Sequence, residues 1–542
     1  MRRNAQNGII ERAVADWLTR ANERSYQLPF AQVLMSNGYT VLQISTHGQL
    51  EQGKDIIAKN RKNHICAYQM KCGDIDVSEW RKIKGEVIDL ISIPICNPAV
   101  SKKAPYTSYL VTNGRITEPV RRAIDDMNED NKRKKRQWSA LEVIELDELK
   151  KLFIDAERQL WPSELADTRE FLNLLASNGA DLFPKKSFCQ FLETWMFQES
   201  MSSSTAKSLI SASIVLVAQL VQPFESLQNW FAVFECWTCT SSSILRLAAK
   251  KSLAVPEWKQ SYDLAMLGAM NALRSLKEEC LSCSDMLEGS PIGDGGYLYR
   301  ARVVMVLGVL SALELSETHS SQRQEHDQTL KEWVIGNVEH LWYWGESAFP
   351  YYASIVRYLE VVGENARSRE ILETILHRTV SCNEPRSPGG IPDPYISASD
   401  VISDVLHVAD DPMDLQRFTG LAYALEAVVQ MIARRGYRDL LEKSWPAISR
   451  VQLAEVIPDD PSDYFSWHIE KGVHRSPFPT ATQSYGELRN QSRSIACDEL
   501  PYPGIARDLL PFWLMVCPHR ASSRLVAVID AVQPYEHPDT RT

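Results

Sequence analysis

This sequence predicts two kinds of structure in series. Residues 1–160 read as an α/β region with a mixed sheet flanked by helices, and residues 165–542 as a large all-α region. Three observations carry this. Runs with period-two alternation are interspersed with 3.6-period apolar stripes up to about residue 160. Beyond about residue 165 the period-two runs all but vanish and helical stripes follow one another. The charge divides at the same place, with 26 Lys and Arg against 21 Asp and Glu in residues 1–160, and 33 against 48 in the remaining 382.

Taken in order, 7–24 places Ile10, Val14, Trp17, Leu18 and Ala21 on one helical stripe. A second helix is expected over 29–37, with Pro29 at a permitted first-turn position and Gly38 as its stop. Strand-like runs follow at 39–45, 55–59 and 65–72, with Asn60-Arg61-Lys62-Asn63 as the turn between the last two. An amphipathic helix at 77–92, a strand at 106–112 closed by Asn113-Gly114, a helix at 118–129, a strand at 141–146 and a helix from Asp147 complete the region. Farther on, helical stripes are expected at 188–195, 209–221, 263–276, 302–315, 330–343, 352–362, 415–432 and 504–516. Turn-rich breaks lie at 289–296, 384–394 and 458–461, and the one at 384–394 is a candidate boundary inside the helical region.

With 542 residues, 44% hydrophobic and 24% charged, the composition is that of a globular chain and excludes a disordered, collagen-like or low-complexity protein. The longest uncharged apolar stretch, 208–224, is broken by Ser211, Ser213, Gln219 and Gln222; it reads as a buried helix, not a membrane span. No apolar segment follows the basic residues of MRRNAQNGII, and eleven cysteines are spread along the chain. The expectation is therefore a cytoplasmic protein with free thiols and no membrane partner.

The residues most able to carry chemistry are Gly53-Lys54-Asp55 and, after the turn, Gln69-Met70-Lys71. In a hairpin about residues 61–63, Asp55 faces Tyr68 or Gln69 depending on loop length. Gln69 and Lys71, two apart, share a face. In one of the two registers Asp55 joins them, which gathers an acid, an amide and an ammonium group. Asp55, the Gln69 side-chain oxygen and the Met70 carbonyl are hard ligands suited to Mg²⁺, with Mn²⁺ as a substitute, and Lys71 is suited to a developing phosphate charge. An exposed cross-strand ion pair is the plainer use of the same residues.

Gly53-Lys54-Asp55 with Gln69-x-Lys71 resembles the PD-(D/E)xK nuclease superfamily in its QxK form. Leu110-Val-Thr-Asn-Gly114 followed by Glu142-Val-Ile-Glu-Leu-Asp-Glu-Leu149 is similar to the closing β-α-β of restriction-endonuclease-like domains in bacterial defence proteins. The resemblance covers residues 1–155; no Pro precedes Asp55, and Gln69 stands where many members have an acid. It implies a restriction-endonuclease-like fold and a metal-dependent endonuclease acting on DNA, with RNA or a catalytically silent nucleic-acid-binding scaffold as alternatives. It further implies the effector role of a prokaryotic anti-phage system and a Glu from the first helical region, with Glu23 ahead of Glu11 and then Glu51. The helical region is then expected to sense, to bind a partner such as an ATPase, or to oligomerise.

Other motifs carry less. Cys236-x-x-Cys239 and Cys280-x-x-Cys283 have the form of zinc half-sites, but each sits in an apolar helical context where Cys serves as a small hydrophobe. Cys517-Pro-His519 lacks a partner pattern, and 293–296 lacks the Lys-Ser/Thr of a phosphate loop. Trp342, Trp344, Tyr351 and Tyr352 read as core. The run Lys132-Arg133-Lys134-Lys135-Arg136 is a candidate phosphate-binding segment beside the site, or else a solvated face.

Overall fold

The structure, a computed structural model, describes residues 14–45, 53–101, 104–134, 138–157, 165–198, 201–283, 296–321, 327–384, 389–409, 413–415, 419–456, 458, 460–467, 473–475, 484–494 and 509–531. It has a mixed sheet at the N-terminal end and many helices after it. In order, the first part runs α1 (14–20), α2 (Glu23–Ser36), β1 (Thr40–Ile44), β2 (Ile56–Lys59), β3 (Ile65–Lys71), α3 (Val77–Ser92), β4 (Tyr106–Thr112), α4 (Glu118–Arg133), β5 (Leu141–Ile144) and α5 (Leu146–Glu157).

The five strands lie in sequence order, with β1–β2 and β2–β3 antiparallel and β3–β4 and β4–β5 parallel. One face of the sheet presents Ile57, Ile65, Ala67, Leu110 and Leu141 to Trp80, Ile83, Val87 and Leu90 of α3 and Val120 and Ile124 of α4. This is the alternation that period-two runs predict. On the other face Tyr68 stacks on Tyr109 at 4.9 Å and meets Phe30 of α2 edge-on at 5.5 Å.

Helix α2 departs from expectation. It begins at Glu23, not Pro29, because Asn22 caps it by accepting from the backbone N–H of Ser25 at 2.9 Å. Pro29 lies inside the helix, where it removes one hydrogen bond. The compensation is burial, since every residue from Ser25 to Leu34 is buried. A helix covered all round needs neighbours on both sides, and the sheet supplies only one.

The second neighbour is α8 (Ser203–Ser226), which packs along α2. The chain accordingly forms two compact units divided at 271/272, so the helices from residue 165 to 271 belong with the sheet, whereas a boundary near 160 was expected. These helices are α6 (Leu165–Leu175), α7 (Lys185–Met196), α8, α9 (Trp230–Lys250) and the start of α10 (Lys259–Ser282). Among the described residues α8 is the one helix long and apolar enough to cross a membrane, and most of it is buried within its own unit.

The second unit continues through α11 (Tyr297–Ser321), α12 (Gln328–Asn337), α13 (Phe349–Val361), α14 (Asn365–Cys382), α15 (Ala398–Val405), α16 (Leu425–Arg434), α17 (Arg438–Ile448), α18 (Tyr485–Ser494), α19 (Leu510–Val516) and α20 (Ser523–Ala531). It is not all-α, because β6 (Leu421–Ala422), β7 (Gln452–Val456) and β8 (Val473–Arg475) form a small three-stranded sheet. The helix expected over 415–432 therefore begins only at Leu425, after Gly420 at φ +82° and strand β6. Trp344, Tyr351 and Tyr352 are core, as read, whereas Trp342 is only half-buried.

Candidate active site

The site forms where the start of β2 meets the end of β3. The pairs Ile56–Tyr68 and Ile57–Ala67, continued one step, set Asp55 level with Gln69. Asn63 at φ +63° and the Asn60 side chain, which accepts from Lys62 N–H and His64 N–H, make the turn that fixes this register. Asp55 shares the face of Ile57, and Gln69 and Lys71 share that of Ala67, so all three lie on the α3 side of the sheet.

Their contacts are specific. Asp55 Oδ2 accepts from the Met70 backbone N–H at 2.6 Å, which aims the carboxylate along the end of β3. Gln69 is 3% exposed, and its Nε2 donates to Glu86 Oε2 at 2.8 Å. Lys71 Nζ donates to the same Glu86 oxygen at 2.9 Å and lies 3.5 Å from Glu23 Oε1. Burial alone would lower the Lys71 ammonium. The hydrogen bond that Lys71 donates to Glu86 and the charges of Glu23, Glu86 and Asp55 outweigh it and hold the group above its ordinary value, so Lys71 is a cation at neutral pH. Glu23 reaches the site because Asn113, at the end of β4, donates to the carbonyls of Leu18 and Ala21, both at 2.6 Å, and pins the turn before α2 beside β3.

Two residues brace the approach to Asp55. Gly53, at φ +71°, lies against the α3 backbone so closely that a Cβ there would meet the Glu86 carbonyl oxygen at 2.6 Å. Lys54 is buried; its Nζ donates to the Asp89 carbonyl at 3.3 Å near the end of α3, and burial brings it down to about 8.

Glu86 is the member the sequence reading missed. It stands beside Val87 on the flank of the α3 stripe Trp80–Ile83–Val87–Leu90, a carboxylate at the edge of the buried face of the helix after β3. That position was its signal. Of the other candidates, Glu11 and Glu51 lie outside the described residues, as do Lys135 and Arg136.

The rest of the basic run, Lys132 to Lys134, sits at the C-terminal end of α4. Asn128 of α4 exchanges hydrogen bonds with the backbone of Leu141, which pairs with Ser108, and Ser108 pairs with Ala67, four residues before Lys71. Lys132, Arg133 and Lys134 lie farther still along α4, toward the sheet end away from Lys71, and Arg133 and Lys134 pair with Asp130 at 2.8 and 2.6 Å. They are not beside the site.

No protein-family model, curated protein or solved structure matches this chain.

The donor chemistry fits a hard cation in one respect above the others. Gln69 Oε1 is buried and meets no hydrogen-bond donor among the described residues, an orphan that costs free energy unless a water, another donor or a cation covers it. Among the described residues no three His, Cys, Asp or Glu side chains stand close enough to hold an ion alone, so a cation here would draw on the Gln69 amide oxygen beside the Asp55 carboxylate, with water completing its shell. Met70 enters through its N–H. Cys236 and Cys239 lie in α9, Cys280 lies in α10 and Cys283 lies exposed just beyond it, all as free thiols, and burial raises Cys236, Cys239 and Cys280, which suits small hydrophobes.

Proposed function

We propose that the sheet region is a metal-dependent nuclease that hydrolyses phosphodiester bonds in DNA. Asp55, Gln69, Lys71 and Glu23 form its centre and Glu86 is a further member. The observation that carries the reading is the convergence of an oriented carboxylate, a protonated lysine and a buried, undonated amide oxygen at one strand end. Mg²⁺ or Mn²⁺ is the cation such oxygens suit, and bound there it would polarise the scissile phosphate and acidify a bound water.

The chain's own groups divide the remaining work. Met70 N–H holds the Asp55 carboxylate at the strand end beside Gln69, where it would help hold the cation. Lys71 donates to the charge that develops on the phosphate oxygens, where a fixed donor is worth more than water. Glu86 and Glu23 keep Lys71 protonated and in place until that charge develops.

The test is cleavage of supercoiled plasmid, linear duplex, single-stranded DNA and RNA with Mg²⁺, Mn²⁺ or EDTA by wild type, Asp55→Ala and Lys71→Ala. Metal-dependent cutting that falls by about 10²-fold or more in both variants is expected. Variants as active as wild type overturn the reading, and the preferred substrate separates DNA from RNA. A second reading, a silent nucleic-acid-binding scaffold, is favoured by the amide at Gln69 in place of a carboxylate. It predicts salt-sensitive binding without cutting.

A further inference from the structure

We propose that α2 is the positioning element of this site and that Glu225 of α8 sets it, so that the helices packed behind the sheet control whether Asp55 and Lys71 are aligned. The activity arm rests on the nuclease reading above; the structural arm does not.

Two adjacent side chains of α2 hold the two strands by their backbones. The Tyr26 hydroxyl donates to the carbonyl of Lys71 at 2.6 Å, at the last residue of β3. The Gln27 amide donates to the carbonyl of Asp55 at 3.2 Å and to that of Ser45 at 3.3 Å, where the end of β1 meets the start of β2. Both side chains are buried. The strand ends that carry the acid and the lysine are thus tied to consecutive positions of one helix, and Glu23, one turn earlier, reaches Lys71 itself. A slide or rotation of α2 would move all three together.

What fixes α2 comes from α8. That helix is apolar along most of its length, and Glu225 is its single acidic residue. Its carboxylate accepts a hydrogen bond from the Ser25 hydroxyl in the first turn of α2, the end of a helix that favours negative charge. Farther along α2, Gln32 accepts from Ser261 of α10 at 3.0 Å. Neither Glu225 nor Ser261 touches the proposed reacting groups. The single carboxylate of a largely apolar helix, accepting from the start of the helix that clamps both site strands, is a positioning contact.

The experiment uses the full chain as wild type, Tyr26→Phe, Gln27→Leu, Glu225→Ala and Glu225→Gln. Lys207→Ala, whose side chain lies on α8 and pairs with Glu257, is the control. Amide hydrogen exchange is followed over residues 53–59 and 65–72, beside the melting temperature and the kcat and KM of plasmid cleavage. Tyr26→Phe keeps the ring and loses only the hydroxyl, so it folds even where Glu225→Ala does not. We expect about tenfold faster exchange over 65–72 in Tyr26→Phe and over both segments in Glu225→Ala. A fall in kcat of about tenfold with KM within about twofold should accompany it, with partial rescue in Glu225→Gln and no change in Lys207→Ala.

Unchanged exchange in both segments for Tyr26→Phe and the Glu225 variants overturns the proposal. So does cleavage by these variants at the wild-type kcat. Faster exchange as expected in a protein that cuts no substrate, wild type included, removes the nuclease reading and leaves the positioning role standing.

Discussion

At the residue scale, the informative atom is Glu86 Oε2, which accepts from both Gln69 Nε2 and Lys71 Nζ. One carboxylate oxygen thereby orients the amide so that its own oxygen points away, and keeps the lysine charged. Glu86→Ala removes both functions while leaving the apolar stripe of α3 intact. On the nuclease proposal, cleavage should fall by about 10–100-fold with unchanged circular dichroism, and Glu86→Gln should lie between wild type and Glu86→Ala.

Glu346 is informative for stability. It accepts from the backbone N–H groups of Tyr423 and Ala424 at 2.8–3.0 Å, at the start of α16, yet burial dominates and raises its carboxyl to about 8. The folded state therefore holds a proton that the unfolded chain releases near its ordinary value of about 4.3. Its contribution is fully present below that lower value and is lost as pH rises toward 8. Glu346→Gln should flatten the decline of melting temperature between about pH 5 and pH 8, and a parallel decline in the variant would count against this account.

At the element scale, α2 and the Gly53 turn show how local chemistry places distant groups. The Asn22 cap moves the start of α2 back to Glu23 and so brings a carboxylate to Lys71; a helix beginning at Pro29 would have left it in a linker. Gly53→Ala would need both a disfavoured φ and a shift of the α3 backbone at Glu86. The expected outcome is a loss of stability of about 1–3 kcal/mol by denaturant titration, with a larger proportional loss of cleavage, because the displaced segment carries Glu86.

In the N-terminal region the order of elements was legible in the sequence, since period-two runs and helical stripes report burial directly, whereas the short strands β6–β8 were not. The Asp55–Gln69 register was not, because both loop lengths satisfied the apolar pattern until Asn63 took its left-handed conformation. Glu86 was hidden for another reason: nothing in a helix pattern says which strand end its flank will face.

At the scale of the whole molecule, each compact unit carries its own device. In the second, Arg435 is buried among Glu360 of α13 and Asp530 of α20: it donates to both Glu360 oxygens, by Nε and by Nη2 at 2.9 Å, and to both Asp530 oxygens at 3.1 Å. Arg357 and Arg434 lie 3.5 Å from Glu360 and 3.7 Å from Asp530. Removing the central cation leaves two acids short of charge in a dry interior. Arg435→Met should therefore cost about 3–5 kcal/mol of unfolding free energy, and a loss under about 1 kcal/mol would show the network to be dispensable. In the first unit, the all-round burial of Ser25–Leu34 requires a second covering layer, and α8 supplies it, so α8 and the sheet fall in the same unit.

By itself the sequence determined the class of structure, the strands that bear Asp55, Gln69 and Lys71, and the core character of Trp344, Tyr351 and Tyr352, because each is a matter of local periodicity and burial. Only the tertiary structure decided that Glu23 and Glu86 converge on Lys71, that the basic run at Lys132 lies toward the other end of the sheet, and that Glu225 of α8 meets Ser25 of α2. These are distances between elements far apart in the chain, and packing, not propensity, sets them.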